Sequence, residues 1–377
     1  MQKEYRRDLL VVVRAGASRD CLHLPSNNVE MPPLTMDLAQ ISPNARQLLD
    51  RYPKAQPLFD YFNERLSNNQ SDEFGISTFN FEAVLREYMN SSDNDPYTTQ
   101  HLAAFRFLVR DLLVSSAEDV GASNGWITRY TSLVRRCVRW ARIHSSKLCF
   151  VSFNYDYLLE RACHVQFDFH AENFEDYVRY EPVSLLEPHG SVLWSWSRPE
   201  IGAVQTFNGT LDVETLVNRS IEAGERLTPQ THLIASSQRI NAVLSDRQNS
   251  PLAGTNYIAL LPAFALPVTG KGELVWPGEQ EEFFTQSLTN GCFGRVALIG
   301  WRGAEEHFSP MLDRIIANGA KVLIGTGGDT ESEARASATE VYENLKFVLH
   351  RTTRKEHLSG FARLPESLEP EWLLNEE

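Results

Sequence analysis

The sequence predicts an α/β protein, an open parallel sheet of Rossmann type that carries a large helical insertion. Three observations lead there. Short apolar runs, too brief for helices, recur at residues 9–13, 148–152, 295–300 and 321–325, as buried strands do. The last two are joined by one short helical segment, 308–318, stopped by Gly319, and such a unit makes parallel strands with a right-handed crossover. Between the first two runs, residues 24–146 change texture to helix-period segments split by Asn/Ser/Asp-rich breaks.

Taken in order, Leu9-Leu10-Val11-Val12-Val13 reads as a central strand that stops in Arg14-Ala15-Gly16-Ala17-Ser18. The insertion follows, with helices expected over 36–51, 58–66, 80–89, 101–115 and 125–143; Phe81, Val84, Leu85 and Tyr88 show the i, i+3, i+4 spacing. Residues 148–154 return to strand and 157–165 to helix. Pro188 and Gly190 then bracket His189 in a tight loop between two apolar stretches. Residues 196–251 are polar and irregular, read as a smaller insertion (about 195–250) with a helix or two around 230–244. Residues 257–262 read as another buried strand and 279–288 as a helix. The expected division is a core of residues 1–23 and 147–377 and a helical insertion of 24–146.

Composition narrows the function. The chain of 377 residues has 42% hydrophobic and 23% charged residues, as globular proteins do, and a formal net charge of −13. That charge argues against a nucleic-acid or anionic-membrane binder, which needs a basic face. Arg135, Arg136, Arg139 and Arg142 lie on one expected helix and read as a solvated face. No window has the length of a transmembrane helix, and the charged first eight residues lack a signal-type apolar stretch. A cytoplasmic protein is expected. Five cysteines, with no C-x-x-C spacing, are expected to be reduced thiols, mostly buried, with no structural zinc and no other metal.

The polar residues that matter stand at strand ends. Ligands of open α/β sheets bind at the carboxyl ends of the strands, which makes Asn154 and Asp156 candidates for ligand contact; both types are equally good helix caps. Ala15-Gly16-Ala17-Ser18 has the small residues that let backbone N–H groups approach a phosphate, and an ordinary tight turn explains it as well. His189 is either a ligand-facing loop residue or a surface residue without a task. Gly300 and Gly325 end their strands on the same edge as Asn154.

Taken together, Ala15-Gly16-Ala17-Ser18, Asn154-Tyr155-Asp156, His189-Gly190-Ser191 and Gly300-Trp301 form an ordered set that resembles the sirtuin-like family, in particular its bacterial branch that hydrolyses NAD. Phe79-Asn80-Phe81-Glu82-Ala83-Val84-Leu85 is similar to that branch's helix between the first two motifs, and Pro262 and Trp276 fall at its strand-ending proline and its tryptophan. The resemblance spans roughly residues 8–327. It implies NAD as substrate, no metal, and cleavage to nicotinamide and ADP-ribose, with a role in antiviral defence by NAD depletion. His189, Asn154 and Asp156 would be the catalytic residues. Ala15, Gly16, Ala17, Ser18, Gly190, Ser191, Gly300 and Trp301 would bind the dinucleotide.

Such a hydrolase needs a gate, so a homo-oligomer or a partner protein is expected. A carboxamide at Asn154 can donate to one oxygen and accept from another; His189 can take a proton. Arg14 departs from the family's loop glycine, and its guanidinium either reaches a phosphate or fills the pocket. The alternatives are a subunit that binds NAD or ADP-ribose without turnover and an NAD-dependent protein deacylase, the latter disfavoured by the missing zinc cysteines.

Overall fold

The computed structural model describes residues 8–19, 21–22, 29, 31–33, 38, 43–68, 80–90, 95–179, 181–201, 204–205, 213–225, 227–228, 232–235, 243–246, 256–266, 275–301, 305, 307–325 and 354–357. Two compact units emerge: Met1–Pro32, Ser116–Ser191 and Gly270–Glu377 form the first, Pro33–Ser115 and Val192–Thr269 the second. Residues 116–146, grouped with the insertion in the sequence reading, fall in the first unit, and residues 192–194 and 251–269, grouped there with the core, fall in the second.

The first unit is built on a six-stranded parallel sheet. Its strands are β1 (Asp8–Val13), β2 (Leu148–Ser152), β3 (Val183–Leu186), β9 (Phe293–Ile299), β10 (Lys321–Gly325) and β11 (Arg354–His357), in the order β11-β10-β9-β1-β2-β3. Leu9 to Val13 are all fully buried, which is why this strand reads as an unbroken aliphatic run rather than an alternating one. Val13 pairs with Ser152 on one side and Ile299 on the other, so the three carboxyl ends are level. Sequence order runs outward in both directions from β1 and reverses between β1 and β9. A sheet of this kind opens a crevice at such a reversal. Backbone bonds carry the level edge one residue further, Arg14 N–H to Ile299 O, Phe153 N–H to Val13 O and Gly300 N–H to Gly325 O.

Helices α1 (Ala15–Arg19), α6 (Arg129–His144), α7 (Leu158–Phe167), α8 (Phe174–Arg179), α10 (Gly278–Thr289) and α11 (Ser309–Ala317) belong to this unit. One face of the sheet, including Leu10, Val12, Cys149 and Val151, is packed with Phe284, Trp301, Phe308 and Leu312. Helix α6 starts in a capping box of Thr128 and Thr131. Its apolar stripe, Leu133, Val134, Cys137, Trp140 and Ala141, is buried, while Arg135, Arg139 and Arg142 are exposed and Arg136 half-buried, the solvated face expected from their spacing. All five cysteines are thiols rather than disulfides, four of them buried.

The second unit holds α2 (Pro43–Arg51), α3 (Gln56–Asn68), α4 (Phe81–Asn90), most of α5 (Pro96–Asn124), α9 (Val213–Glu222) and a five-stranded sheet of β4 (Gly190–Arg198, all but its first two residues), β5 (Val204–Gln205), β6 (His232–Ala235), β7 (Val243–Asp246) and β8 (Asn256–Phe264). Rings of Phe59, Phe62, Phe81 and Phe105 pack against one another in its core. This sheet corrects one expectation: strands β6 and β7 occupy part of the stretch expected to be helical around 230–244. The buried strand expected at 257–262 is present as β8, paired antiparallel with β7 and β5. His232-Leu233-Ile234-Ala235 is a four-residue edge piece flanked by polar residues, too short for periodicity to distinguish strand from helix. No described helix is long and apolar enough to cross a membrane. Phe79 and residues 351–353 and 358–377 lie outside the described residues.

Candidate functional site

Side chains from three distant segments meet beyond the carboxyl end of β1. Asn154 donates through Nδ2 to Ser18 Oγ at 2.8 Å and to the Tyr130 hydroxyl at 3.0 Å, and those two oxygens lie 3.0 Å apart. Asp156 stands beside them, its Oδ1 accepting from Leu158 N–H at the start of α7. All four side chains are buried.

Ser18 Oγ and the Tyr130 hydroxyl each accept a hydrogen from the Asn154 carboxamide, and one of the two hydroxyls donates to the other. Both carboxamide hydrogens of Asn154 are used, and its buried Oδ1 has no donor among the described residues. Leaving a buried acceptor unpaired costs about 1–3 kcal/mol. The sequence reading had Asn154 both donating and accepting; here it offers a ligand an acceptor only. Burial pushes the Asp156 carboxyl up, opposed by Ser18 and the Leu158 N–H, and pushes the Tyr130 hydroxyl well up. Tyr130 stays neutral. The N-cap position of α7 is Tyr157, without a side-chain cap bond, and Asp156, one residue before it, serves the helix end through the Leu158 N–H.

His189 is buried, its ring 4.9 Å edge-on from Phe153 and 6.2 Å, nearly parallel, from Tyr155. The imidazole therefore packs on the two residues that flank Asn154, whereas the carboxamide is held by Ser18 and Tyr130. Gly190 has φ +76° and its N–H bonds Glu187 O, closing the turn that carries His189. A side chain at Gly190 would be strained in that backbone.

Behind this turn stands an acid pair that motif reading missed. Glu160 and Glu187 are buried side by side; Ser191 Oγ donates to Glu160 Oε1 at 2.9 Å, while Glu160 Oε2 and both Glu187 carboxyl oxygens have no hydrogen-bond partner among the described residues. Burial pushes Glu160 up to about 7 and, with the Glu160 charge beside it, holds Glu187 well above the usual carboxylate range. Two neighbouring buried carboxyls do not both stay ionised, so one of them carries a proton. Gln280 Oε1 accepts from Glu187 N–H at 2.9 Å and holds the turn from the α10 side. A signal for Glu160 existed in the sequence. It lies four residues after Asp156 and three before Cys163, on the buried side of α7.

The glycine-bearing edge is tightly closed. Gly300 has φ +62°, and a Cβ there would stand 2.9 Å from Ala17 N and 3.3 Å from the Gly16 carbonyl carbon. Gly300 thus lets the β9 end lie against the first turn of α1. Ala15, Gly16, Ala17 and Ser18 are helical rather than an open loop, Ala17 N–H bonding Arg14 O at 2.7 Å. Arg14 has no positive φ, and its Nε pairs with the buried Glu305 carboxylate at 3.2 Å. Trp301 is a core residue against Phe308, its Nε1 without an acceptor among the described residues.

No family model matches the chain, and no curated protein matches it. Among solved structures, the chain is similar to a Sir2 homologue in complex with NAD, at 11% identity over 96% of this chain and 88% of that one, with a TM-score of 0.40. A Sir2 homologue variant with 2′-O-acetyl ADP ribose gives 11% identity, 71% and 75% coverage and a TM-score of 0.38. Another variant with ADP ribose gives 10% identity, 96% and 90% coverage and a TM-score of 0.38.

Proposed function

We propose that the protein hydrolyses NAD at the bond between nicotinamide and ribose, as its ordered motifs imply. The observation that carries the reading is the buried Oδ1 of Asn154, without a donor among the described residues, on a carboxamide fixed by Ser18 and Tyr130 beyond the carboxyl ends of β1 and β2. That oxygen suits a water or a ribose hydroxyl, either of which would supply the missing proton donor. In the reaction the water oxygen bonds to the anomeric carbon, the glycosidic electron pair leaves on the nicotinamide nitrogen, and the water proton passes to His189. The transition state is oxocarbenium-like, so a neutral carboxamide beside it adds no repulsion. Gating by a second copy or a partner protein follows from the toxicity of an unrestrained hydrolase, and a role in defence by NAD depletion is what the resemblance implies.

The test is nicotinamide release from NAD by the purified chain, alone and with cell extract as a source of activators, compared with Asn154→Ala and His189→Ala. The reading requires release by the wild type and a loss of 100-fold or more in each variant. A second reading, binding of NAD or ADP-ribose without turnover, is favoured by one observation. Gly300 packs on Gly16 and Ala17, and Arg14 is engaged by Glu305, so the segment expected to receive the pyrophosphate is closed up. Saturable NAD binding with no nicotinamide released under any condition would favour it.

A further inference from the structure

We propose that His164, Asp168 and His170 form a divalent transition-metal site at the carboxyl end of α7. Their ligating atoms all lie within 4.8 Å of one another. His170 Nε2 is 3.1 Å from Asp168 Oδ1 and His164 Nδ1 is 3.8 Å from the same oxygen, with the two imidazole centroids 4.5 Å apart. In a tetrahedral zinc site with bonds near 2.0–2.1 Å, neighbouring ligand atoms stand about 3.3 Å apart. The two histidine-to-carboxylate distances bracket that spacing, and the remaining pair of ligand atoms lies within 4.8 Å.

The backbone around the cluster is built, not loose. Asp168 caps α7 in the left-handed region at φ 58°, its N–H on His164 O at 2.9 Å. Glycine is the usual residue there; aspartate tolerates the conformation and places a carboxylate beside His164. Phe169 is buried, its ring 5.6 Å from Tyr177 and 6.1 Å from Phe167. That anchor turns the chain so that His170 comes back toward the end of the helix.

Two imidazoles and one carboxylate select zinc, cobalt or a similar borderline ion over magnesium or calcium, which take all-oxygen shells. Three protein ligands leave a fourth position for water or an external group. Asp156, whose carboxylate accepts from Leu158 N–H, stands at the opposite end of this ten-residue helix, about 15 Å away. A bound ion would brace α7 from its carboxyl end without touching Asn154 or His189.

The test is titration of the full chain with Co²⁺ in chelator-free buffer, read by visible d–d absorption, then displacement by Zn²⁺. One saturable equivalent is expected, with affinity weakened 10-fold or more in His170→Gln and in Asp168→Asn, which keeps a residue tolerant of the left-handed backbone. Zinc should raise the melting temperature of the wild type by two degrees or more and leave His170→Gln unmoved. No one-to-one binding, or equal binding by wild type and both variants, would overturn the proposal. The readout involves no NAD, so its failure leaves the proposed hydrolysis untouched.

Discussion

The Tyr130 hydroxyl lies 3.0 Å from the carboxamide nitrogen of Asn154, joining the first turn of α6 to the end of β2. Because the phenol accepts from the carboxamide and shares a hydrogen bond with Ser18, it holds both side chains together. Tyr130→Phe removes that hydroxyl with little change in packed volume. It leaves one Asn154 hydrogen without its acceptor and Ser18 without one partner, costing about 1–3 kcal/mol. Urea unfolding should show that loss, and any nicotinamide release should fall at least 10-fold as Asn154 gains freedom to rotate. Unchanged stability and unchanged turnover together would show that the hydroxyl does not hold the site.

Gly300→Ala tests the closed edge. At φ +62° an alanine is strained, and its Cβ would meet the Ala17 amide nitrogen at 2.9 Å, backbone against backbone. The left-handed conformation alone costs about 1–2 kcal/mol, and the clash adds to it, so a loss of about 2–4 kcal/mol is expected. Gly278→Ala is the control, since it has no positive φ and nothing within 4 Å of the added methyl; it should be neutral or slightly stabilising. Thermal melts of the two variants side by side decide the point.

What the sequence disclosed divides along physical lines. Buried parallel strands such as Leu9 to Val13 announce themselves because both faces are covered and every residue is apolar. Asn154, Asp156 and Ser18 were found because strand ends are predictable once strands are, and the three do meet. Tyr130 was invisible: its partner Ser18 is 112 residues away, and no local pattern encodes such a contact. Glu187 was overlooked for a different reason. An acidic residue beside a proline and a glycine reads as surface loop, and only the tertiary packing buries it against Glu160.

That burial gives the pair a pH signature. The folded state holds protons on Glu160, pushed up to about 7 from the ordinary 4.5, and on Glu187, held well above that ordinary value, that the unfolded chain releases. The stabilisation is complete below the unfolded value and is lost as pH rises through the folded ones. The slope reaches about 1.4 kcal/mol per pH unit for each such proton. Glu187→Gln keeps the size of the side chain but removes one titrating group and the repulsion acting on the other. Denaturant unfolding at steps between about pH 5 and pH 8 should show a shallower decline in the variant. An identical decline would assign the effect to other groups.

The last prediction concerns Arg14, the residue that replaces the expected loop glycine. Its guanidinium pairs with Glu305, whose side chain is only 7% exposed while that of Arg14 is 20% exposed. Removing one partner of a largely buried pair leaves the other charge without compensation, and that penalty exceeds the net worth of the pair. Arg14→Ala should therefore destabilise the protein by about 2–3 kcal/mol, with Glu305→Gln restoring most of it in the double variant. The same double-mutant cycle, read by NAD affinity, separates the two roles open to Arg14. If the guanidinium is held on Glu305 and away from a phosphate, Glu305→Gln alone releases it and strengthens NAD binding. If Arg14 fills the pocket, the gain comes with Arg14→Ala instead, and Glu305→Gln alone gives none.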